Sequence, residues 1–312
     1  MIRHATLAGA VVGAIAVAPL ASAQVQPPLE DVVVQGEILN RAIDQATGAS
    51  RAEDDDRDNE IDGEAGIYVL TVNDIFFISG AATLGHTTNP TRTATDAGED
   101  SYADFSASIG VSTRLGNAVD FSAAFNVDGR DYFDTDEASS RGVSVTTAVG
   151  APVFGPVYGS LIAFGGYAFD DQFDNETSFY GLSGNLSTSW KISDQLLLRP
   201  GVGVTQQWSD VSENNSLAAT ASLDALYVIA PEWLASARIS ISERAYDDFY
   251  EDVTFVERED TTAGVSASLV WRPSHNMSVS ASLAYEDQDS SFFLSEFDAF
   301  DTSVGVSFRH WF

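Results

Sequence analysis

Apolar and small polar residues alternate along most of the chain. In the final segment, Asp301–Phe312, the alternate positions Val304, Val306 and Phe308 are apolar, and the residues between them are mostly polar. A period of two is typical of a β-strand with one apolar and one polar face. Twelve such segments occur, near 75–87, 101–114, 118–131, 141–151, 156–169, 177–191, 195–209, 214–228, 232–246, 260–272, 275–287 and 297–312. Segment 156–169 leaves open which of its faces is apolar.

The connections between these segments alternate between short and long. Short turns lie at 115–117, 150–156, 193–194, 230–232 and 272–275. Long loops lie near 88–101, 131–141, 170–177, 209–215, 247–260 and 287–297. An even number of strands, with short turns on one side and long loops on the other, is typical of bacterial outer-membrane barrels. The pattern predicts an all-β fold, a twelve-stranded antiparallel transmembrane β-barrel over residues 74–312, with both termini on the periplasmic side.

Aromatic residues collect at the predicted strand ends. Trp190, Trp233 and Trp271 lie beside short turns and share the parity of the apolar face, which predicts an interfacial girdle of tryptophans. A second group is expected at the long-loop side: Tyr132, Phe173, Tyr246, Tyr250 and Phe292.

The N-terminal part of the chain differs from the rest. Residues 1–23 combine a basic start, an apolar run and Ala21-Ser22-Ala23, which predicts a signal peptide that is cleaved on export to the outer membrane. Residues 24–73 include a dense run of acidic residues. We expect a short, largely disordered periplasmic segment there, or a partial plug of the barrel.

Charge and composition exclude several classes of function. Lys and Arg number 15 against 46 Asp and Glu, and the net charge is −31. Nucleic acid is therefore not an expected partner, because phosphate binding needs a basic surface. Cysteine is absent, which excludes disulfides and thiolate chemistry. We expect no cofactor.

The inward-facing positions are mostly Ser, Thr, Asn and Gly. They predict either a hydrated lumen or a lumen filled by residues 24–73 or by loops. The charged lumen-lining candidates are Arg114, Asp120, Lys191, Arg199, Asp224, Arg238, Arg272 and Arg309. They could form a charged constriction that selects solutes. Alternatively, the basic residues are structural and the two carboxylates satisfy them.

Divalent cations are possible partners of the long loops, which carry clusters of carboxylates. Asp58, Glu60 and Asp62 also match the first half of a calcium-loop pattern and are candidate metal ligands. The bidentate acid of that pattern would fall at Val69, where it is missing.

A lipid-acting enzyme is the one catalytic alternative. His86 lies at the outer end of the first strand with lipid-face parity, and Ser101 on the next strand is the candidate nucleophile. No catalytic motif accompanies this pair, so a non-enzymatic function is expected.

Two resemblances add to this interpretation. Asp301–Phe312 resembles the C-terminal strand of Gram-negative outer-membrane barrels, which implies recognition by the barrel-assembly machinery and contact with outer-membrane lipid and lipopolysaccharide. The hairpin containing Val270–Pro273 and Met277–Tyr285 is similar to a porin family linked to exopolysaccharide loci.

These features favour a passive channel for small neutral or cationic solutes. The alternative is a non-conducting envelope protein whose acidic, cation-binding loops contact a surface partner. The second resemblance implies at most the export or passage of saccharides, and would tie the alternative function to exopolysaccharide export.

Overall fold

A computed structural model of the chain describes residues 75–94, 98–115, 119–170, 177–247, 258–274, 276–292 and 295–312. The predicted signal peptide, the acidic segment 24–73 and the barrel boundary at residue 74 lie outside the described residues. The only helices in the described part are two single 3-10 turns, Asp136–Ala138 and Ser212–Asn214. Among the residues described, no helix is long and apolar enough to cross a membrane.

Thirteen β-segments build the described structure. They are β1 (Phe76–Thr87), β2 (Asp100–Leu115), β3 (Val119–Tyr132), β4 (Ser140–Phe154), β5 (Val157–Asp170), β6 (Thr177–Thr188), β7 (Trp190–Lys191), β8 (Leu196–Ser209), β9 (Ser216–Ala230), β10 (Trp233–Tyr246), β11 (Glu259–Ser274), β12 (Met277–Ser290) and β13 (Phe297–Trp311). The short β7 continues β6 after a break at Ser189, since both pair with β8. The barrel therefore has twelve spanning strands, as predicted.

Antiparallel pairing closes the barrel. Each strand pairs with its neighbour in sequence, and the first and last strands pair with each other from Phe77↔Trp311 to Thr87↔Asp301. Closure matters in a membrane because lipid offers no partner to the backbone groups of a free strand edge. The end that carries both described chain ends and the short connections is called the short-turn end, and the opposite end is the long-loop end.

The outward face is apolar and exposed. Leu84, Leu161 and Val304 are between 58% and 64% exposed, as expected for side chains that contact lipid. At the short-turn end, Trp190, Trp233 and Trp271 are all exposed on this face, and the last two rings stack with centroids 6.1 Å apart. The predicted tryptophan girdle is present.

The aromatic residues predicted at the long-loop end do not form a second outward girdle. Tyr132 and Tyr246 are only 5% and 3% exposed and face the inside of the barrel, where each packs against an arginine. Parity explains this, because both residues follow the polar, inward series of their strands. The outward aromatics at this end include Tyr180 and Trp208, whose rings stack with centroids 5.4 Å apart. Phe173 and Tyr250 lie outside the described residues, and Phe292 is half-buried.

Strand β5 places Ile162 and Phe164 inside the barrel and Leu161 and Tyr167 outside. This resolves the ambiguous segment 156–169. The inner wall therefore includes apolar patches as well as small polar residues. Phe164 and Ala168 pack against Phe179 of β6, and a second cluster joins Leu226, Leu234 and Val270 on β9 to β11.

Candidate functional site: the charged lining of the barrel

Paired hydroxyl groups line the inner wall of strands β10 to β13. The register places inward residues directly opposite one another on neighbouring strands, and Ser236–Ser268, Ser278–Ser307 and Ser282–Ser303 each have Oγ atoms 2.6 Å apart. A hydroxyl offers one donor and two acceptor sites, so each pair keeps free capacity for water or a polar solute. These residues are among the inward positions that parity predicted.

Arg114 and Asp120 form the first charged group at the short-turn end. Arg114 Nε donates to Asp120 Oδ1 at 3.0 Å, and Tyr158 Oη donates to Asp120 Oδ2 at 2.8 Å. Tyr158 is on β5 and must cross β4 to reach this carboxylate. Gly150 makes the crossing possible, because a Cβ there would overlap the Tyr158 hydroxyl.

Arg199, Asp224 and Arg238 form the second charged group, on the opposite wall. They are direct partners in the register of β8, β9 and β10. Asp224 lies 3.2 Å from Arg199 Nη2 and 3.7 Å from Arg238 Nε, and all three side chains are at most 19% exposed. One carboxylate between two guanidinium groups leaves one positive charge on this wall.

The other predicted lining residues do not join these groups. Arg309 lies over the rings of Phe77 and Trp311, at 5.1 and 5.8 Å from their centroids. Lys191 pairs with Asp194 in an exposed turn, and Arg272 forms no ion pair within the described part of the chain. The eight predicted residues are therefore distributed between the short-turn end and the middle of the barrel and do not form a single ring.

The long-loop end holds three arginine clusters that were not predicted. In the first, Arg130 binds Asp104 through two hydrogen bonds of 2.6 and 2.8 Å, and its guanidinium lies 3.9 Å from the Tyr102 ring centroid. In the second, Arg258 binds Asp260 through bonds of 3.0 and 2.5 Å, with side chains 3% and 0% exposed. Bidentate pairing and aromatic stacking are the arrangements that suit a planar guanidinium.

The third cluster brings a loop residue into the barrel mouth. Arg92 Nη2 donates to Asp301 Oδ2 at 2.8 Å, and Nη1 donates to Glu286 Oε2 at 3.3 Å. Burial by itself would lower the pKa of Arg92, but these two carboxylates raise it above its ordinary value. Arg92 is therefore positively charged at neutral pH.

Arg130 lies four residues after the inward-facing Asn126 on β3. The alternation that identified inward residues at the short-turn end therefore also places Arg130 inside the barrel. No such signal exists for Arg92, which lies in an irregular loop. Every arginine that the structure describes faces the barrel interior or its mouth except Arg141, which pairs with Asp131 on the outer face and lies over the Phe105 ring.

The acidic residues in and beside the 131–141 loop are separated by the strand geometry. Asp128 faces inward, whereas Asp131 faces outward beside Arg141. Within the described ranges, no group of three or more His, Asp or Glu side chains is placed to hold a metal ion. Asp58, Glu60 and Asp62 lie outside those ranges, as do most of the acidic residues of the loops near 170–177 and 247–260.

The catalytic alternative has partial geometric support. His86 and Ser101 are direct partners on β1 and β2, on the outward face, with His86 Nδ1 3.3 Å from Ser101 Oγ. Glu99 Oε2 lies 3.7 Å from His86 Nε2, and its side chain is 76% exposed. An orienting acid is normally held in hydrogen-bond contact with its histidine, which this distance does not provide.

This barrel is similar to known proteins in part of its sequence and in its fold. Residues 164–310, just under half of the chain, match a family described as "Putative beta-barrel porin 2". A solved outer-membrane channel from Pseudomonas putida F1 is 10% identical and has a TM-score of 0.51, with 80% of this chain and 100% of the channel covered. The chain has the fold of an outer-membrane β-barrel. No curated protein matches the chain.

Two further solved barrels resemble this barrel at lower scores. LpxR from Salmonella typhimurium is 10% identical, with a TM-score of 0.45 and coverage of 73% of this chain and 99% of LpxR. The β domain of the Bordetella autotransporter BrkA is 9% identical, with a TM-score of 0.44 and coverage of 76% and 100%.

Proposed function

We propose that the protein is a passive channel of the outer membrane for small neutral or cationic solutes. The observation that carries this proposal is the group of three serine hydroxyl pairs on the inner wall of β10 to β13, in a lining whose charges are mostly paired. Such a lining can replace the hydrogen bonds that a hydrated solute loses, without binding it tightly. The match of residues 164–310 to a porin family supports the same class of function.

The distribution of charge favours cations over anions. Most inward arginines are compensated by a carboxylate at short distance, as in Arg130–Asp104 and Arg258–Asp260. The long loops, in contrast, carry a large excess of carboxylates. Acidic loops at the channel mouth raise the local concentration of cations and repel anions.

Conductance of the refolded protein in planar bilayers tests this proposal. We expect discrete, stable steps with a preference for cations, both for the mature chain and for a variant that lacks residues 24–73. A larger step for the truncated variant would identify the N-terminal segment as a partial plug. Silence of both proteins would refute the channel and favour the non-conducting envelope protein, including a role in exopolysaccharide export.

The lipid-acting alternative is tested separately. Because Glu99 is too distant and too exposed to orient His86, we expect no lipid hydrolysis above background from the refolded barrel. His86→Ala and Ser101→Ala should then leave the measured rate unchanged in detergent micelles that contain phospholipid. A measurable rate that both substitutions abolish would establish the enzyme instead.

Export and assembly follow from the same proposal. We propose cleavage after Ala23 and recognition of Asp301–Phe312 by the barrel-assembly machinery, in a membrane that contains lipopolysaccharide. The exposed Phe312, whose ring stacks on Phe76 with centroids 6.1 Å apart, supports a role for the terminal aromatic residue. The mass of the mature protein tests the cleavage site, and the yield of folded barrel after deletion of Phe312 tests the recognition.

A further inference from the structure

On the outer face of the barrel, the long-loop end is charged differently on its two sides. Strands β10 to β13 carry acidic side chains there, and the exposed ones are Glu243, Glu259, Asp287, Asp289 and Asp298. The basic side chains that the described part of the chain places on this face and at this end are His86 on β1 and Arg141 on β4. Among the described residues, only the sector from β1 to β4 therefore offers basic donors to the headgroups of the surrounding lipid.

The first polar group of this sector is centred on Ser101 of β2. His86 is its direct partner in the register of β1 and β2, with His86 Nδ1 3.3 Å from Ser101 Oγ. Thr302 of β13 is the partner of His86 on the other side. Glu99, two residues before Ser101, brings a carboxylate to 3.7 Å from His86 Nε2. The side chain of His86 is 41% exposed, so a headgroup can reach these donors and acceptors.

Arg141 forms the second polar group and reaches the same strand. Its guanidinium pairs with Asp131 of β3 and lies over the Phe105 ring of β2, 5.6 Å from the centroid. Gly129 of β3 makes this reach possible, because a Cβ there would overlap both the Phe105 ring and the Arg141 side chain. Nη1 donates to two backbone carbonyl oxygens of β3 and β4, and Nη2 donates to Asp131. Within the described residues, three of the five guanidinium N–H groups are used, which leaves two for a ligand.

The two polar groups mark the ends of a short surface on β2. Ser101 and Phe105 are four residues apart, which corresponds to about 13 Å along a strand. Ala103 lies between them, with Leu84 of β1 and Asp131 of β3 as its partners in the register. A polar group at each end and a small residue in the middle suit a wide, polar ligand such as a disaccharide. The headgroup of a phospholipid is too short to contact both groups.

We propose that this surface of β1 to β4 binds the saccharide headgroup of an outer-leaflet glycolipid. Each polar group combines a donor with a carboxylate acceptor, and a sugar hydroxyl uses both because it donates and accepts. The carboxylates on β10 to β13 would repel phosphates on the same lipid, so the ligand is directed to one side of the barrel. This inference rests on the proposed insertion in the outer membrane with the long loops outside. It does not depend on whether the barrel conducts ions.

Binding of lipid A to the refolded barrel tests the site. The titration is made in amine-oxide micelles, which contain no sugar, and a bimane dye on Phe133→Cys reports binding, since the chain has no other cysteine. Phe133 is 60% exposed, and its N–H donates to Ser101 O at 3.0 Å. We expect this dye to respond to lipid A, whereas a dye on Leu217→Cys, exposed on β9, should not. Equal responses would mean that lipid A binds all around the barrel and would overturn the proposal.

Two substitutions test the polar groups themselves. His86→Ala and Arg141→Ala should each weaken the binding of lipid A about ten-fold, as expected for the loss of a hydrogen bond that involves a charged group. His310→Ala is the matched control, because His310 is exposed on the same outer face but at the short-turn end. Its affinity for lipid A should equal that of the unmodified protein. Phosphatidylglycerol should bind less tightly than lipid A, and neither substitution should change its affinity.

Unchanged affinity for lipid A in either variant, or an equal loss in His310→Ala, contradicts the site. Equal affinities for lipid A and phosphatidylglycerol contradict the glycolipid. Heat-dependent electrophoretic mobility confirms that each variant has folded, and the comparison of the two dyes needs neither substitution. A barrel that binds lipid A but never conducts would refute only the channel, and one that conducts without binding lipid A would refute only this site.

Discussion

Individual residues in this barrel are constrained by how closely their neighbours approach. Gly166 lies on the inner side of β5, opposite Ser144 in the register. A Cβ at this position would overlap the Val143 carbonyl oxygen and come within 2.9 Å of Ser144 Cα. Both are backbone atoms, so a rotamer change cannot relieve the clash, and β4 and β5 would have to separate.

We expect Gly166→Ala to destabilise the barrel by about 1–3 kcal/mol, the usual range for overpacking. The measurement is the urea midpoint of tryptophan fluorescence in lipid vesicles. Gly184→Ala on β6 is the control, because no atom lies within 4 Å of a Cβ there. If the urea midpoints of Gly166→Ala and Gly184→Ala are equal, β4 and β5 accommodate the added methyl group without loss of stability.

At the same scale, only part of the charged lining could be predicted. Arg199, Asp224 and Arg238 share inward parity, and strand periodicity was enough to place them on one face. Their meeting in one group depends on the register of three strands, which the sequence does not specify. Arg92 is the opposite case, because its role arises from a loop conformation that has no periodicity at all.

At the scale of the strand, alternation was a strong predictor where one face is clearly apolar. Strand β13 follows it closely, with Val304 59% exposed on the outer face and Ser303 bonded to Ser282 inside. Strand β5 is apolar on both faces, so its orientation could not be predicted. It follows from the neighbouring β6, whose Phe179 packs against Phe164.

The two faces of β13 should respond differently to charge. Val304 lies at the middle of the strand, so Val304→Lys would place an ammonium group in hydrocarbon. We expect a cost of about 2–4 kcal/mol in the free energy of unfolding, as for lipid-facing lysines at mid-membrane. Ser303→Lys, one residue away, should cost clearly less because the side chain enters the polar interior. Equal costs, from urea titration in vesicles, would contradict the assigned faces.

At the scale of the whole molecule, the two signs of charge are separated. The described arginines concentrate inside the barrel, where carboxylates compensate most of them, while much of the acidic excess lies in the long loops. A barrel can separate charge in this way because alternate side chains of every strand face a different medium. In the proposed channel, the acidic excess of the long loops therefore acts mainly at the entrance and only weakly along the path.

This separation predicts a salt-dependent selectivity. Exposed loop charges are screened over about 10 Å at 0.1 M salt but only about 3 Å at 1 M. The preference for cations should therefore weaken when reversal potentials are measured at 1 M rather than at 0.1 M salt. If the preference for cations is the same at both salt concentrations, the prediction is wrong. Selectivity would then arise from the desolvated ion pairs of the lining and not from the exposed loops.

The sequence by itself determined the all-β class, the number of spanning strands and the two faces of most strands. These features depend on the local alternation of apolar and polar residues, because each face of a strand suits the medium that it contacts. Only the tertiary structure decided which charges meet, which aromatic residues turn inward at the long-loop end and where the first loop folds. Those outcomes depend on register, barrel closure and contacts between residues more than 200 positions apart, such as Arg92 and Asp301. No local pattern in the chain encodes such a contact.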